Sequence, residues 1–153
     1  MPDHPSSLTC SKLYRGIPLA HRQHLHPGRC SRVHGHSWAI RLTFACDTLD
    51  AHGFVIDFGG LAFIAEWIDT HLDHAIMLSR ADPLAETLVA AAAEVFHVFW
   101  VDSASCEGLA QALAAALGPE VRARTEGRAW ISRIDVWEDD ANHVAYSLPT
   151  GCS

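Results

Sequence analysis

The chain has 153 residues, of which 49% are hydrophobic and 19% are charged, which excludes a disordered protein and suits one globular domain over residues 1–153. Its net charge of −7 argues against a nucleic-acid-binding protein, and charged residues interrupt every apolar region that could otherwise cross a membrane. The start of the chain has no charged-then-apolar signal pattern, so we expect a cytoplasmic protein.

The first predicted elements are two strands. Residues 1–9 are expected to be flexible, and residues 13–21 alternate as a strand in which Pro18 indicates a sheet edge or a bulge. Residues 34–44 alternate more clearly, because their even positions carry two histidines followed by large apolar side chains. This pattern predicts a half-buried strand whose buried face begins with two imidazoles.

A turn and a helix are predicted after the second strand. Residues 47–53 predict the turn, and residues 54–56 predict a short third strand that forms a hairpin with the second. Asp57 occupies the position of a helix N-cap. Apolar residues at helical spacing then predict a helix that reaches Leu72.

The second half of the chain mixes helices and strands. The predicted elements are a helix over residues 82–96, a strand over 97–101, a helix over 105–117 and a strand over 130–138. Asp82-Pro83 and Ser105 are the signals for the two helix starts. Antiparallel strands with segregated helices predict an α+β domain.

Histidines are concentrated near the second strand. His34 and His36 are two residues apart on a strand, so their rings leave the same face and can share one metal ion. His21 is the best candidate for a third ligand, whereas His24 and His26 lie in a predicted loop and are weaker candidates. The alternative is that these are ordinary strand histidines with satisfied hydrogen bonds.

Cys30 admits two interpretations from the residues alone. It could complete a closed Cys-His₃ site, which would make the metal structural. It could also be a free reactive thiol, since Arg29 and Arg32 flank it and nearby cations favour the thiolate. The five cysteines of the chain show no CxxC spacing, so a disulfide framework is not expected.

Five short motifs occur in a fixed order along the chain: Ala20-His21, Cys30-x-x-x-His34-Gly35-His36, Val55-Ile56-Asp57-Phe58, Leu72-Asp73-His74 and Val136-Trp137-Glu138. With these motifs the chain resembles the 6-pyruvoyl-tetrahydropterin synthase and 6-carboxytetrahydropterin synthase family over residues 13–146. The resemblance implies the tunnelling fold, an antiparallel four-stranded sheet with helices on one face. It also implies homo-oligomers, in which trimeric barrels stack as a hexamer with active sites between subunits.

The resemblance assigns a metal and a base. It implies that Zn²⁺ is bound by His21, His34 and His36, and that Cys30 stays free as the proton-abstracting group. This choice favours the reactive thiol over the closed structural site.

The resemblance also implies a catalytic relay and a pterin anchor. Asp73 and His74 would activate the cysteine, although from sequence alone they could be an ordinary pair at a helix end. Glu138 would accept two parallel hydrogen bonds from the pterin edge, although from sequence alone it could be a solvated acid.

The substrate implied by the resemblance is 7,8-dihydroneopterin triphosphate. Arg22, Arg29 and Arg32 are the candidate triphosphate ligands, with ordinary surface solvation as the equally weighted alternative. The expected enzyme is a lyase, a 6-carboxytetrahydropterin synthase that releases triphosphate and acetaldehyde and supplies a precursor of 7-deazaguanines such as queuosine. The alternatives are a 6-pyruvoyl-tetrahydropterin synthase or a diverged member that binds zinc or pterin without turnover.

Three positions depart from the family pattern. Ile17 replaces the usual aromatic residue, Asp139 replaces the usual threonine after the pterin-binding glutamate, and Ser105-Cys106-Glu107-Gly108 replaces a Thr-x-Glu-Asn helix start. Glu107, in the first turn of its helix, is expected to complement the helix dipole. The departures put substrate orientation in doubt but leave the expected zinc site unaffected.

Overall fold

The computed structural model of the protein describes residues 8–149. The strands are β1 (Thr9–His21), β2 (His34–Cys46), β3 (Ala75–Ser79), β4 (Val98–Val101), β5 (Ala129–Trp137) and β6 (His143–Ser147). The helices are α1 (Ala62–His71), α2 (Ala85–Ala91) and α3 (Cys106–Arg124), with short 3-10 turns at Arg29–Ser31, Phe58–Leu61 and Ala93–Val95. Residues 1–7 of the expected flexible start lie outside the described residues, and Thr9 already belongs to β1.

The strands form one sheet in the order β4-β3-β1-β2-β5-β6. The centre is antiparallel as predicted, because β2 pairs antiparallel with both β1 and β5. The prediction of four antiparallel strands was wrong in number and at one end, since β3 is parallel to β1 and β4 is parallel to β3. All five residues of β3 are buried, so its sequence lacks the alternation that marks a half-buried strand.

Residues 54–56 do not form the predicted third strand. The side chain of Asp50 accepts hydrogen bonds from the backbone N–H groups of His52 and Phe54, and the Asp50 N–H donates to the Phe54 carbonyl. These bonds close a local loop and occupy both backbone groups of Phe54, the first residue of the predicted strand. Val55 and Ile56 are apolar because they pack into the core.

The helices follow the predicted starts more closely than the predicted ends. Asp57 caps the 3-10 turn before α1 by accepting from Gly59 N at 2.9 Å, and Ser105 caps α3 by accepting from Gly108 N at 3.2 Å. The predicted helix over residues 82–96 is broken at Ala92, whose backbone leaves the helical region. No helix among residues 8–149 is long and apolar enough to span a membrane.

The main core lies between one face of the sheet and helices α1 and α3, as predicted. Alternate residues of β3 face opposite ways, so Ala75 and Met77 belong to this core. Ile76 and Leu78 instead form a smaller cluster with Ala85 of α2 on the other face. Helix α2 therefore covers the face of the sheet that was predicted to have no helices.

A bulge in β1 decides which side chains face the main core. The register with β2 shifts between Tyr14 and Ile17, and Gly16 has φ +70°, a left-handed conformation that glycine adopts readily. The sequence predicted an edge or a bulge at Pro18, whereas the bulge lies just before Ile17 and Pro18 itself pairs regularly with Ser37. After the bulge the odd-numbered positions turn inward, which buries His21 at the end of the strand.

Candidate metal centre and active site

Three histidines lie together at the end of β1 and the start of β2. In the antiparallel register His21 is opposite His34 and Leu19 is opposite His36, so the three imidazoles share the core face. Their ligand nitrogens all lie within 4.8 Å of one another. We call His21, His34 and His36 the histidine cluster, and it contains the three residues that the sequence predicted as metal ligands.

The hydrogen bonds of the cluster favour a bound cation. Nδ1 of His21 lies 2.8 Å from the Ala104 carbonyl and Nδ1 of His34 lies 2.7 Å from the Arg32 carbonyl, so both Nδ1 atoms are N–H donors. In the neutral rings both Nε2 atoms then carry lone pairs, yet they lie only 3.1 Å apart. Nε2 of His36 is buried without a hydrogen-bond partner. A metal ion would satisfy all three nitrogens.

Burial keeps His21 in the form that binds metals. Its side chain is fully enclosed, and loss of hydration lowers its pKa from 6.5 to about 4, partly offset by the bond to the Ala104 carbonyl. The imidazole is therefore neutral near pH 7. The buried ring of Trp38 packs edge-on against His21 and His36, with ring centroids 5.1 Å and 5.7 Å away, and restricts their orientation.

Cys30 lies outside the histidine cluster. It sits in the 3-10 turn Arg29–Ser31, its thiol is free and half-buried, and its carbonyl accepts a hydrogen bond of 2.9 Å from Gln23 N. Arg29 and Arg32 beside it are exposed to solvent. The thiol is thus partly accessible, and neither neighbouring arginine forms an ion pair within residues 8–149.

Arg22 is engaged by other residues of the chain. Its guanidinium donates to both carboxylate oxygens of Asp82 and to the Ser31 carbonyl, and its side chain is 15% exposed. The structure thus separates Arg22 from Arg29 and Arg32, although the sequence grouped the three. Asp82 had been interpreted only as part of a helix start, and its contact with Arg22 had no signal in the sequence.

Asp73 and His74 lie away from the histidine cluster in the same chain. Nδ1 of His74 is 2.6 Å from Oδ2 of Asp73, and the His74 side chain is 81% exposed. The His74 N–H donates to the carbonyl of Pro18, which precedes His21 by three strand residues, about 10 Å along β1. Cys30 lies beyond the His21 end, and no hydrogen bond joins it to His74 within residues 8–149.

Glu138 follows the last residue of β5 and is half-buried at the start of α3. Its Oε2 is 3.8 Å from Sγ of Cys106, which donates a weak hydrogen bond to it. Burial, and then the negative charge of Glu138, raise the pKa of Cys106 to about 12. Cys106 was not among the expected site residues, although its place in the helix-start motif at residues 105–108 pointed toward this region.

Comparison with known proteins agrees with this fold. A protein of Rickettsia typhi named 6-carboxy-5,6,7,8-tetrahydropterin synthase is 38% identical over 63 residues, which are 40% of this chain and 46% of that protein. The protein of the same name from Bacillus subtilis is 34% identical over 55 residues, 36% of each chain. The matched segments thus span less than half the length of these relatives.

Solved structures match over nearly the whole chain. The uncharacterized protein WS1659 of Wolinella succinogenes has a TM-score of 0.81 at 17% identity, covering 94% of this chain and 99% of that one. The 6-pyruvoyl tetrahydropterin synthase of Caenorhabditis elegans has a TM-score of 0.64 at 18% identity, covering 94% and 97%. The expected tunnelling fold is confirmed, with six strands in place of four. Residues 12–149 match the 6-pyruvoyl tetrahydropterin synthase family as a whole, and the chain belongs to that family.

Proposed function

We propose that this protein is a zinc-dependent 6-carboxy-5,6,7,8-tetrahydropterin synthase. It acts as a lyase on 7,8-dihydroneopterin triphosphate, releases triphosphate and acetaldehyde, and supplies a precursor of 7-deazaguanines. The observation that carries the proposal is the facing pair of Nε2 atoms on His21 and His34, beside the unpartnered Nε2 of His36. The names of the relatives in Rickettsia typhi and Bacillus subtilis support this choice of product.

The histidine cluster fits zinc. Three neutral imidazoles are a common donor set for catalytic zinc, which keeps a further position open for substrate. When bound, zinc supplies Lewis-acid chemistry that raises the acidity of the substrate's side-chain hydroxyls and of the adjacent C–H bonds. The chain holds the imidazoles in place, because the carbonyls of Ala104 and Arg32 fix the Nδ1 protons of His21 and His34.

Cys30 transfers the protons. Its thiol lies outside the histidine cluster, so it is free to act as a thiolate that takes a proton from the substrate side chain and returns one to the ring. The exposed guanidinium groups of Arg29 and Arg32 bind the triphosphate and stabilise it as it leaves. Arg22 supports the site without contacting the phosphates, since Asp82 already binds it.

Glu138 binds the pterin. A carboxylate accepts two parallel hydrogen bonds from a flat N–C–N edge, and Glu138 is half-buried near the cluster with one oxygen against Cys106. No cation among residues 8–149 forms an ion pair with Glu138, so no ion pair competes with the pterin for its carboxylate. The free oxygen and the remaining lone pairs face the substrate.

The Asp73–His74 pair acts on Cys30 of a neighbouring subunit. Within one chain His74 lies beside Pro18 while Cys30 lies past the other end of that stretch of β1, so the two groups need a second copy to meet. The exposed ring of His74, fixed through Nδ1 by Asp73, leaves Nε2 open to accept the thiol proton. The active protein is accordingly a trimer or a dimer of trimers.

The product assay tests the function. Zinc-loaded protein is incubated with 7,8-dihydroneopterin triphosphate, and we expect triphosphate and acetaldehyde in equal amounts. Triphosphate without acetaldehyde would make the protein a 6-pyruvoyl-tetrahydropterin synthase, and neither product would make it a non-catalytic binder. Cys30→Ala should abolish turnover and keep one zinc per chain, whereas Cys46→Ala, at another half-buried free thiol, should change neither.

A mixing experiment tests the shared site. Cys30→Ala and His74→Ala proteins are each expected to be inactive, and subunit exchange between them should restore part of the activity, because some interfaces then carry both intact groups. Exchange is followed independently by native mass spectrometry of tagged subunits. Exchange without any recovery of activity would place both groups in one chain's site.

A further inference from the structure

Arg22, which directly follows His21 of the histidine cluster, joins two other parts of the chain through three hydrogen bonds. Nε of Arg22 donates to Oδ2 of Asp82 at 2.5 Å, Nη2 donates to Oδ1 at 3.1 Å, and Nη1 donates to the Ser31 carbonyl at 2.8 Å. The Asp82 side chain is fully buried. A planar guanidinium makes these bonds at fixed angles, so the three groups hold one another in a single geometry.

The Ser31 carbonyl belongs to the turn that carries Cys30. This cysteine and the residue after it are bound to residues that follow His21: the Cys30 carbonyl accepts from Gln23 N, and the Ser31 carbonyl accepts from Arg22. Besides the bond between the Arg32 carbonyl and Nδ1 of His34, two bonds to residues that follow His21 position the Cys30 turn relative to the histidine cluster. One of them is a backbone bond, and the other depends on the orientation of the Arg22 side chain.

Asp82 provides a rigid support for that side chain. Its Oδ1 also accepts from Leu84 N at 3.0 Å, and its carbonyl accepts from Ala85 N at 3.1 Å, which ties it to the start of α2. Ala85 is itself buried in the cluster beneath α2. The Arg22 guanidinium beside Asp82 holds the pKa of that carboxyl below its usual range, so the pair remains ionised at neutral pH.

We propose that Arg22 and Asp82 are positioning residues that set the distance between the Cys30 thiol and the histidine cluster, an inference that rests on the proposed function of Cys30 as the proton-transferring group. The pair joins the Cys30 turn to the β3–α2 connection, which lies about sixty positions later in the chain. It contacts no substrate. Its role is to hold the turn Arg29–Ser31 in the one arrangement in which the Cys30 thiol and the metal act on the same part of the substrate.

The variants that test the proposal are Asp82→Asn and Arg22→Lys. Asparagine keeps one oxygen acceptor but loses the charge, and lysine keeps the charge but loses the fork that reaches Asp82 and Ser31 together. Either change should lower kcat by about 10–100-fold, as expected when a supporting group shifts a reacting group by a fraction of an ångström to 1 Å. KM for the triphosphate substrate and zinc content should remain within about twofold of wild type, the ordinary scatter of such context-dependent effects.

An exposed ion pair nearby supplies the matched control. Arg80 and Asp102 are 3.7 Å apart with side chains 62% and 98% exposed, so Arg80→Lys and Asp102→Asn repeat the same chemical changes without touching the Cys30 turn. Both control variants should keep wild-type kcat. Thermal melting identifies any variant that fails to fold, and if Asp82→Asn does not fold, Arg22→Lys carries the test because it leaves no unpaired buried charge.

A second readout separates this proposal from the proposed function. The rate at which iodoacetamide alkylates Cys30, followed by peptide mass spectrometry at fixed pH, should change severalfold in Asp82→Asn and in Arg22→Lys, and remain unchanged in the two controls. Wild-type protein without turnover overturns the proposed function but leaves the alkylation test intact. Unchanged alkylation and unchanged kcat in both folded variants overturn the positioning role. A raised KM in Arg22→Lys alone would assign Arg22 to the triphosphate.

Discussion

Gly108 offers a direct test of how closely the turn before α3 packs against the helix. A Cβ atom added there would lie 1.8 Å from the Ser103 carbonyl oxygen, whereas ordinary contact begins at 3.4 Å. In Gly108→Ala the turn must therefore retreat by the difference, 3.4 − 1.8, or about 1.6 Å. Backbone cannot rotate away as a side chain would, so we expect a loss of about 1–3 kcal/mol in the free energy of unfolding.

The retreat should also reach the histidine cluster, the proposed zinc site. Ala104, next to Ser103, accepts the 2.8 Å hydrogen bond that fixes His21, and a shift of this size would break that bond. Loss of an orienting partner of a metal ligand typically lowers metal affinity by about 10–100-fold. We therefore expect Gly108→Ala to lose zinc to a chelator at a concentration that leaves wild-type protein loaded.

Gly118→Ala is the matched control on the same helix. Apart from its chain neighbours, a Cβ atom at Gly118 meets nothing within 4 Å, but Pro119 follows it and disfavours a helical residue that has a Cβ atom. We therefore expect the propensity gain of alanine and this clash to offset each other, so that Gly118→Ala changes stability by less than about 1 kcal/mol and leaves zinc affinity unchanged. Urea unfolding and a chelator competition titration measure both quantities for both variants. If Gly108→Ala is as stable and retains zinc as well as Gly118→Ala, the turn does not press on the helix as described, and the reasoning fails.

Two further predictions concern buried carboxylates and thiols. Glu138→Gln should weaken binding of a pterin by roughly 1.5–3 kcal/mol in a calorimetric titration, since an amide cannot accept both donor bonds. The same variant should lower the pKa of Cys106 and speed its alkylation, because the charge that helps to raise that pKa is gone. Unchanged affinity would make Glu138 a solvated acid. For Asp82 the folded pKa lies below the usual 3.8, so its pairing stabilises the fold above about pH 4 and loses that effect as the pH falls further. The stability difference between wild type and Asp82→Asn should accordingly shrink below pH 4 in urea titrations, and a constant difference would contradict the pairing.

The elements that the sequence could predict are those that carry a periodic face. Strand β2 buries large side chains at alternate positions from Trp38 to Phe44. The two N-caps Asp57 and Ser105 have the side-chain chemistry that caps need. Strand β3 is buried on both faces and looks like any short apolar run. Strand β6 alternates only between exposed and half-buried positions, which gives too little contrast in hydrophobicity to be recognised.

The same distinction applies to the site. The histidines at positions 34 and 36 could be placed on one face because strand geometry is local, and His21 could be joined to them because it ends a neighbouring strand. The Ala104 carbonyl that orients His21 comes from a distant turn. Every residue has a backbone carbonyl, so the residue type at position 104 could not indicate this contact. The partner of Arg22 was equally hidden, since any acid in the chain could have met that arginine.

Two of the three departures from the family pattern, Asp139 and Gly108, have local structural causes. Asp139 accepts hydrogen bonds from the backbone of Ala141 and from both the backbone and the side chain of Asn142, and these bonds hold its pKa below the usual value. It also lines a cavity of about 480 Å³ on the open face of the sheet, whereas Glu138 contacts α3 on the other face. Asp139 therefore stabilises the β5–β6 turn and lies on the opposite face of the sheet from the Glu138 carboxylate. Gly108 similarly replaces a larger residue because the Ser103 carbonyl occupies the space of its side chain. Neither change removes a group that the proposed reaction uses, which favours an active enzyme over a binding protein that has lost turnover.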